Sequence, residues 1–308
     1  MRRLLTAPPA RRSLTAGAVL LAAASALASA SASTASASTA DGGRHHGRHQ
    51  VDYVALGDSY ASAPLVPTQV DTTCLRSDQN YASLVARSSR AALTDVTCPG
   101  ATTADMAAPQ GSVPAQFDAL DRGTDLVTLT VGGNDIGFST VLGTCAKLSA
   151  SDPAGAPCRS YLTGKGTDQI SDAVARTAPK VADVLRGIHR RAPHARVVVV
   201  GYPDLFPDDG VGCTGAKVPL AAGDFSFLRD KEKELNAMLA RQARRGGAEY
   251  VNTYSPTVGH DLCRPAEQRW IETFAPETPA APVHPNAAGE RAMAGAAERV
   301  LTRHWWHR

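Results

Sequence analysis

The chain reads VDYVALGDSY from Val51 to Tyr60, an apolar run that ends in Gly57, Asp58 and Ser59. A short apolar run bounded by such turn-forming residues is typical of a β-strand. The serine therefore follows the carboxyl end of a strand, and in open α/β sheets that edge is where functional sites form. Because Gly-Asp-Ser also occurs in ordinary turns and helix caps, other parts of the chain must decide whether this serine is catalytic.

Similar short apolar runs recur along the chain and alternate with helix-like stretches. We predict strands over Val51–Leu56, Asp95–Thr97, Leu126–Val131, Arg196–Val200 and Tyr250–Val251. We predict helices over Asn80–Arg90, Asp168–Arg190, Phe225–Arg245 and Asn286–Arg303. Pro179 is expected to kink or divide the second helix. This alternation predicts an α/β fold in which a parallel sheet is covered by helices on both faces.

The cysteine count favours disulfide bonds. Six cysteines are an even number, and their spacing lacks the patterns of a zinc site, so we predict no metal. Six cysteines allow many connectivities, and we favour sequential pairing because each pair would close one loop region rich in Gly, Pro and Asp. These regions are 61–78, 143–165 and 203–223, and the pairs are Cys74–Cys98, Cys145–Cys158 and Cys213–Cys263.

The beginning of the chain resembles a secretory leader. Paired arginines precede the apolar stretch Leu14–Ala28, and small-residue cleavage sites follow, so we predict a signal peptide over residues 1–32. The apolar stretch is shorter than the roughly 20 residues that cross a membrane. Residues 33–50, rich in Ser, Thr, Ala and then His, are predicted to be a disordered linker, and 51–308 a single domain. We therefore expect a secreted, extracellular protein without a transmembrane segment.

The charge balance gives no reason to expect nucleic acid as a partner. The formal net charge is +3, and four leader arginines supply four positive charges, so the mature chain carries about −1. A nearly neutral surface does not attract a polyanion. We expect a monomer without a cofactor.

Three further short blocks could contribute to a site with Ser59. Asn134 follows two glycines at the end of the third predicted strand, and its side-chain amide could extend into the same space. Gly100 follows the second strand and could present a backbone N–H. His284 lies just before the last helix, which Asn286 would cap.

Taken together, in the chain order Ser59, Gly100, Asn134 and His284, these blocks resemble the four sequence blocks of the SGNH, or GDSL-type, hydrolases. The resemblance is closest to the secreted actinobacterial lipases and esterases of that family. It implies a flavodoxin-like, three-layer α/β/α fold. It also implies that Ser59 is the nucleophile, that His284 is the general base, and that the oxyanion hole is formed by the N–H groups of Ser59 and Gly100 with the amide of Asn134.

Ester hydrolysis requires these residue types. Neutral serine is a poor nucleophile until a base accepts its proton, and histidine can accept that proton and return it to the leaving alcohol. Preorganised N–H donors would stabilise the oxyanion. We therefore predict a lipase or esterase that acts through an acyl-enzyme on a small-molecule or lipid ester.

The sequence departs from the family pattern beside the histidine. Most members have Asp three residues before it, whereas this chain has Ala281. Some secreted actinobacterial relatives use a main-chain carbonyl instead, and we predict that the carbonyl of Ala281 orients His284. Glu277 and Asp261 are alternative orienting groups, and His260 with Asp261 is a rival pair of base and partner.

Two other classes of function remain open at this point. The same acyl-enzyme could be resolved by an alcohol or formed from an acetylated sugar, which would make the protein an acyltransferase or a carbohydrate deacetylase. The missing Asp is compatible with an inactive binding protein that keeps the fold.

Overall fold

Five parallel strands form the central sheet, in the spatial order β4 (Ala92–Asp95), β1 (Asp52–Gly57), β5 (Leu126–Thr130), β6 (Arg196–Val200) and β7 (Glu249–Val251). They belong to a computed structural model that describes residues 50–164 and 166–305. A small antiparallel pair is formed by β2 (Gln69–Asp71) and β3 (Arg76–Ser77). The helices are α1 (Ser59–Ser62), α2 (Tyr81–Ser89), α3 (Phe138–Ser149), α4 (Pro157–Thr163), α5 (Gln169–Arg191), α6 (Phe225–Arg245) and α7 (Ala287–Trp305).

Both faces of the sheet are buried, which makes the fold three-layered. In β6, Val197 and Val199 belong to one apolar cluster together with α5 and α6, while Val198 and Val200 belong to a second cluster with α2 and α7. All five residues of β5 are buried as well. This explains why the central strands lack polar alternation, and it confirms the predicted α/β/α arrangement.

Three local predictions were wrong. The second strand, β4, ends at Asp95, because the Asp95 side chain accepts the N–H of Thr97 at 3.0 Å and turns the chain out of the sheet. The region 143–165, predicted as loop, contains the end of α3 and all of α4. α5 is one continuous helix, so Pro179, on its exposed face, does not divide it.

The cysteines pair in the predicted sequential order. Cys74 is bonded to Cys98, Cys145 to Cys158, and Cys213 to Cys263. The second bond joins α3 to α4. The other two fasten the segments around 74 and 213 to the chain near the carboxyl edge of the sheet. Two disulfides therefore hold loops, and the third joins two helices.

The predicted signal peptide (1–32) and nearly all of the predicted linker (33–50) lie outside the described residues. Within 50–164 and 166–305, none of the helices has the length and apolar character needed to cross a membrane.

Candidate active site

Ser59 is the first residue of α1, immediately after β1. The N–H of Asp58 continues the sheet pairing by donating to the carbonyl of Thr130 at 3.0 Å, and the Asp58 carboxylate caps α1 by accepting from the N–H of Tyr60 at 3.0 Å. Gly57 is required here, because a Cβ on it would lie 2.7 Å from the Thr130 carbonyl oxygen. Strand, glycine and cap together place the serine hydroxyl at the carboxyl edge of the sheet.

Gln116 fixes the same turn, although no motif in the sequence pointed to it. Its side-chain carbonyl accepts from the Gly57 N–H at 2.7 Å, and its amide donates to the Gly57 carbonyl at 2.9 Å. Gln116 is only 2 % exposed, so both bonds are shielded from water. The last residue of β1 is therefore held on both backbone groups.

His284 lies within hydrogen-bonding distance of Ser59. Its Nε2 is 2.7 Å from the Ser59 Oγ, and its Nδ1 is 2.7 Å from the carbonyl oxygen of Pro282. If Nδ1 carries the ring proton and donates it to this carbonyl, Nε2 is the basic nitrogen that faces the serine.

The carbonyl beside the histidine ring is not the predicted one. The Ala281 carbonyl is 3.2 Å from the backbone nitrogen of His284, whose N–H donates to it. That bond closes a turn of the backbone and leaves the next carbonyl, that of Pro282, facing the ring. The assignment to Ala281 is therefore wrong by one residue, although a main-chain carbonyl does occupy the position.

The alternative carboxylates lie elsewhere. Glu277 is exposed and forms ion pairs with Lys217 and Arg269. Asp261 is buried, accepts from the Cys263 N–H at 2.9 Å and lies 3.4 Å from Arg264. Neither of these two acids contacts His284.

The rival base does not reach the serine. His260 is stacked on Trp270, with ring centroids 3.5 Å apart, and its Nδ1 is 2.6 Å from the Gln268 carbonyl. These contacts hold His260 as part of a surface loop, and of the histidines in the described part of the chain only His284 reaches Ser59.

Burial determines the protonation of His284. Desolvation lowers the pKa of its imidazole below the usual value, and the bond to the Pro282 carbonyl opposes that shift. The ring is therefore largely neutral at neutral pH, which is the form that can accept a proton from serine.

Tyr60, which follows Ser59, supports His284 through two contacts. Its ring stacks on the His284 ring with centroids 4.7 Å apart, and its hydroxyl donates to the Val283 carbonyl at 2.7 Å. Val283 has φ of 60°, a left-handed conformation that is rare for a β-branched residue and costs of order 1–3 kcal/mol. Tyr60, the residue after Ser59, thus stabilises a strained backbone next to His284.

The histidine segment is also paired with the chain that precedes it. The Glu272 N–H donates to the His284 carbonyl at 2.9 Å, and the Asn286 N–H donates to the Trp270 carbonyl at 2.9 Å. Beneath this pairing, the fully buried Glu272 carboxylate binds Arg269 at 2.8 Å and accepts from the Asn286 amide at 3.0 Å. Burial raises the pKa of Glu272, but its hydrogen bonds from Arg269, Thr278 and Asn286 outweigh that effect and lower it to about 2.

The Gly100 block lies against the turn that carries Ser59. Cys98 to Ala101 form a tight turn, closed by the Ala101 N–H on the Cys98 carbonyl at 3.2 Å, with Gly100 at φ 79° as a type II turn requires at that position. The Cys98 N–H donates to the Gly57 carbonyl at 3.0 Å. Gly100 is exposed and is not among the described residues that line the cavity beside Ser59.

Asn134 joins the third block to the second. Its Nδ2 donates one hydrogen to the Ala101 carbonyl at 2.9 Å, which fixes the amide orientation and leaves its second hydrogen for another acceptor. The neighbouring Asp135 accepts from the backbone N–H of Thr103 at 2.9 Å. The loop after β4 and the loop after β5 are thus joined by two hydrogen bonds.

A buried tyrosine links Asp58, the residue before Ser59, to the glycines before Asn134. The Tyr202 hydroxyl donates to the Asp58 carboxylate at 2.6 Å and accepts from the Gly133 N–H at 2.8 Å. Burial raises the pKa of Asp58 to about 7, although its bonds from Tyr202 and Tyr60 oppose this. Tyr202 is a second positioning residue that the sequence did not reveal, because it follows β6 without any motif.

An apolar cavity of about 310 Å³ opens beside these groups. Ser59, His284 and Asn134 line one part of it. Its walls are formed by side chains of α3, α5 and α6, among them Phe138, Val141, Leu142, Ile170, Leu228 and Leu235. Within 50–164 and 166–305, no three His, Cys, Asp or Glu side chains are grouped so that they could hold a metal ion.

Comparison with known proteins agrees with this arrangement. A family model described as the GDSL-like Lipase/Acylhydrolase family matches residues 55–292. The chain belongs to this family. It is 44 % identical over 251 residues to Lipase 2 of Streptomyces coelicolor, covering 79 % of this chain and 83 % of the relative. It is 31 % identical over 286 residues to a lipase of Streptomyces rimosus, covering 91 % and 94 % of the two chains.

Two solved structures share the fold of this GDSL protein. Phospholipase A1 of Streptomyces albidoflavus superposes with a TM-score of 0.65 at 28 % identity, over 82 % of this chain and 99 % of that one. The extracellular lipase of Streptomyces rimosus gives a TM-score of 0.65 at 26 % identity, over 81 % and 99 %. The family and these relatives identify the protein as a carboxylic ester hydrolase of the lipase and esterase type.

Proposed function

We propose that this GDSL hydrolase is a secreted lipase or esterase that forms an acyl-enzyme on Ser59 with His284 as general base. The observation that carries the proposal is the 2.7 Å contact between His284 Nε2 and Ser59 Oγ beside an apolar cavity. Serine and a neutral histidine within hydrogen-bonding distance are the arrangement that activates an oxygen nucleophile.

The reaction follows from this geometry. Ser59 Oγ attacks the ester carbonyl carbon while its proton moves to His284 Nε2. Collapse of the tetrahedral intermediate breaks the bond to the alcohol, which leaves with that proton. A water molecule then attacks the acyl-enzyme with His284 again as base, and Ser59 is restored.

The Pro282 carbonyl takes the place of a triad carboxylate in this scheme. It accepts the Nδ1–H of His284, so the ring keeps the orientation and tautomer in which Nε2 is free to act as base. It offers a dipole where a carboxylate would offer a full charge, and the imidazolium is stabilised correspondingly less. Ser59 and His284 therefore act as a dyad.

The oxyanion is proposed to bind the N–H of Ser59, the N–H of Gly100 and the free Nδ2 hydrogen of Asn134. Asn134 is already oriented by its bond to Ala101, so it loses little freedom when the intermediate forms. Gly100 would take part through its backbone alone, from the turn that the Cys98 N–H ties to Gly57.

The cavity indicates the acyl side of the substrate. Its apolar walls suit a hydrocarbon chain and extend beyond what an acetyl group would fill, which favours a lipase or esterase over a carbohydrate deacetylase. Secretion is supported by three disulfides and by the extracellular lipase of Streptomyces rimosus among the structural relatives.

A labelling experiment tests the nucleophile. The folded protein treated with a fluorophosphonate should gain one adduct, located on Ser59 by peptide mass mapping, and Ser59→Ala should gain none and lose ester hydrolysis. His284→Ala should be similarly inactive although folded. Label on another residue, or an active Ser59→Ala variant, would refute the proposal.

The acceptor of the acyl group is tested separately. With a small primary alcohol present in the reaction, products are separated into free acid and transferred ester. Predominant free acid is expected of a hydrolase, and predominant transfer at low alcohol concentration would identify an acyltransferase.

A further inference from the structure

Lys231 lies between the apolar cavity and a separate surface cleft. The cleft, of about 260 Å³, is otherwise lined by Arg159, Thr163, Asp168, Ser226, Phe227 and Asp230. Among the described residues, Lys231 is the one that lines both the cavity and the cleft. Its side chain is therefore the partition between an apolar compartment and a polar one.

On α6, Lys231 lines the part of the apolar cavity that lies beyond the carboxyl edge of the sheet. One turn further along α6, Leu235 packs 3.6 Å from where a Cβ on Gly132 would lie, and the Asn236 side-chain oxygen accepts the Tyr202 N–H at 2.8 Å. That turn is thus level with the carboxyl edge of the sheet. With a rise of about 1.5 Å per residue, Lys231 lies roughly 6 Å beyond it along the helix, away from the sheet.

The ammonium group of Lys231 is held firmly. Nζ lies 2.7 Å from Asp168 Oδ2, 2.9 Å from Glu234 Oε2 and 2.7 Å from Ser171 Oγ, and the side chain is 16 % exposed. Burial lowers the pKa of Lys231, but the bonds to Asp168 and Glu234 outweigh it and raise the pKa above the usual value. The charge is therefore retained at any pH at which the enzyme would work.

The ammonium group of Lys231 points away from the cavity, so the methylene groups of its side chain lie against the cavity. Asp168 lines the cleft and does not line the cavity, so the ammonium lies on the cleft side. Asp168 is itself fixed, because its other oxygen caps α5 by accepting from the N–H groups of Ile170 and Ser171 at 3.1 Å. Lys231 thus presents methylene groups to the cavity and anchors its charge behind them.

We propose that Lys231 sets the length of the acyl chain that this enzyme accepts, an inference that rests on the proposed function of Ser59. A chain esterified to Ser59 extends along the apolar cavity until its last carbons meet the Lys231 stem. A longer chain has to displace a partly buried ammonium from three partners and leave two carboxylates without it. Shortening Lys231 opens the cavity into the cleft and removes this limit.

The test compares p-nitrophenyl butyrate, octanoate and palmitate as substrates by kcat/KM. In Lys231→Ala, the ratio of palmitate to butyrate should rise at least about tenfold over that of the parent, since a few added methylene contacts are worth that much. Lys233→Ala is the matched control, because Lys233 lies on the exposed side of the same helix and lines neither space. Its ratio should equal that of the parent.

A second variant keeps the test independent of the folding of Lys231→Ala. Asp168→Asn keeps a side chain that caps α5 well and weakens the hold on the ammonium, so the ratio should rise in the same direction by a smaller factor. Ratios equal to that of Lys233→Ala in both folded variants would overturn the inference. In that case hydrolysis that still depends on Ser59 leaves the proposed function intact, whereas hydrolysis that survives Ser59→Ala refutes the function itself.

Discussion

Ser59 and His284 approach each other from two differently built regions. Ser59 is placed by regular structure, since β1 lies between β4 and β5 in the sheet and its last residue is bonded through both backbone groups to Gln116. His284 lies outside any helix or strand, in the segment that pairs with residues 270–273 before α7 begins. That segment contains a valine with φ of 60° and rests on the buried pair Arg269–Glu272.

The difference shows where each half of the site obtains its rigidity. Sheet hydrogen bonds and close glycine packing hold the serine, and many residues share that task. The histidine depends on a few charged and polar side chains in a place that water does not reach. Such a network is strong while every partner is present and costly when one partner is lost.

The largest expected effect is on the histidine side. Glu272→Gln keeps the size of the side chain but leaves Arg269, 3 % exposed on its side chain, with only the exposed Glu277 as a carboxylate partner. We expect the free energy of unfolding to fall by about 3 kcal/mol, the lower end of the range for breaking a buried ion pair, and kcat to fall because His284 loses its support. Denaturant unfolding and steady-state kinetics measure both.

Glu277→Gln is the matched control for that experiment, because it removes the exposed partner of the same arginine. Its free energy of unfolding should change far less than that of Glu272→Gln, because an exposed ion pair contributes little. Equal stability of the two variants would show that the buried network does not hold the histidine segment.

The next effect is on the serine side and separates catalysis from stability. Asn134→Ala removes one proposed oxyanion donor, which typically costs about 2.7 to 4 kcal/mol of transition-state stabilisation, so kcat should fall by roughly 10² to 10³. The fold should remain, because sheet and glycine contacts hold this region. Near-normal turnover would remove Asn134 from the mechanism, and Asn252→Ala, at an exposed asparagine after β7, controls for the loss of an amide elsewhere.

The same contrast explains what the sequence could predict. The strand before Ser59, the Gly100 turn and the Asn134 block follow from local apolar runs and turn residues, and the structure places them at one edge of the sheet as expected. The sequence could not predict which carbonyl faces the His284 ring. The Ala281 carbonyl accepts the backbone N–H of His284, and this leaves the Pro282 carbonyl for the ring. Which carbonyl faces the ring depends on the unusual backbone at Val283.

The supporting tyrosines were missed for a related reason. Tyr60 and Tyr202 look in the sequence like ordinary core aromatics, and their roles come from hydrogen bonds to residues 223 and 144 positions away. The second half of α3 was predicted as loop because the region 143–165 is rich in Gly, Pro and Asp, whereas the buried Leu142, Cys145 and Ser149 of α3 recur at helical spacing. Long-range bonds and short helices carry little local signal.

The smallest expected effect tests the dyad itself. The basic form of His284 is lost as the pH falls through its pKa in the folded enzyme, and burial sets that pKa below the ordinary 6.5. The acid limb of kcat/KM should therefore have its midpoint below that value.

In Glu277→Gln and Asp261→Asn the midpoint should not move and kcat should stay within about tenfold of the parent, a margin of roughly 1.4 kcal/mol. A carboxylate on Nδ1 would have raised the pKa of the imidazole, and its loss would lower both the midpoint and the turnover, by as much as about 10⁴-fold where a triad acid is replaced by its amide. A limb centred above 6.5 in the parent, or a loss of three orders of magnitude in either folded variant, would mean that an acid reaches His284 during the reaction, and the dyad would have to be replaced by a triad.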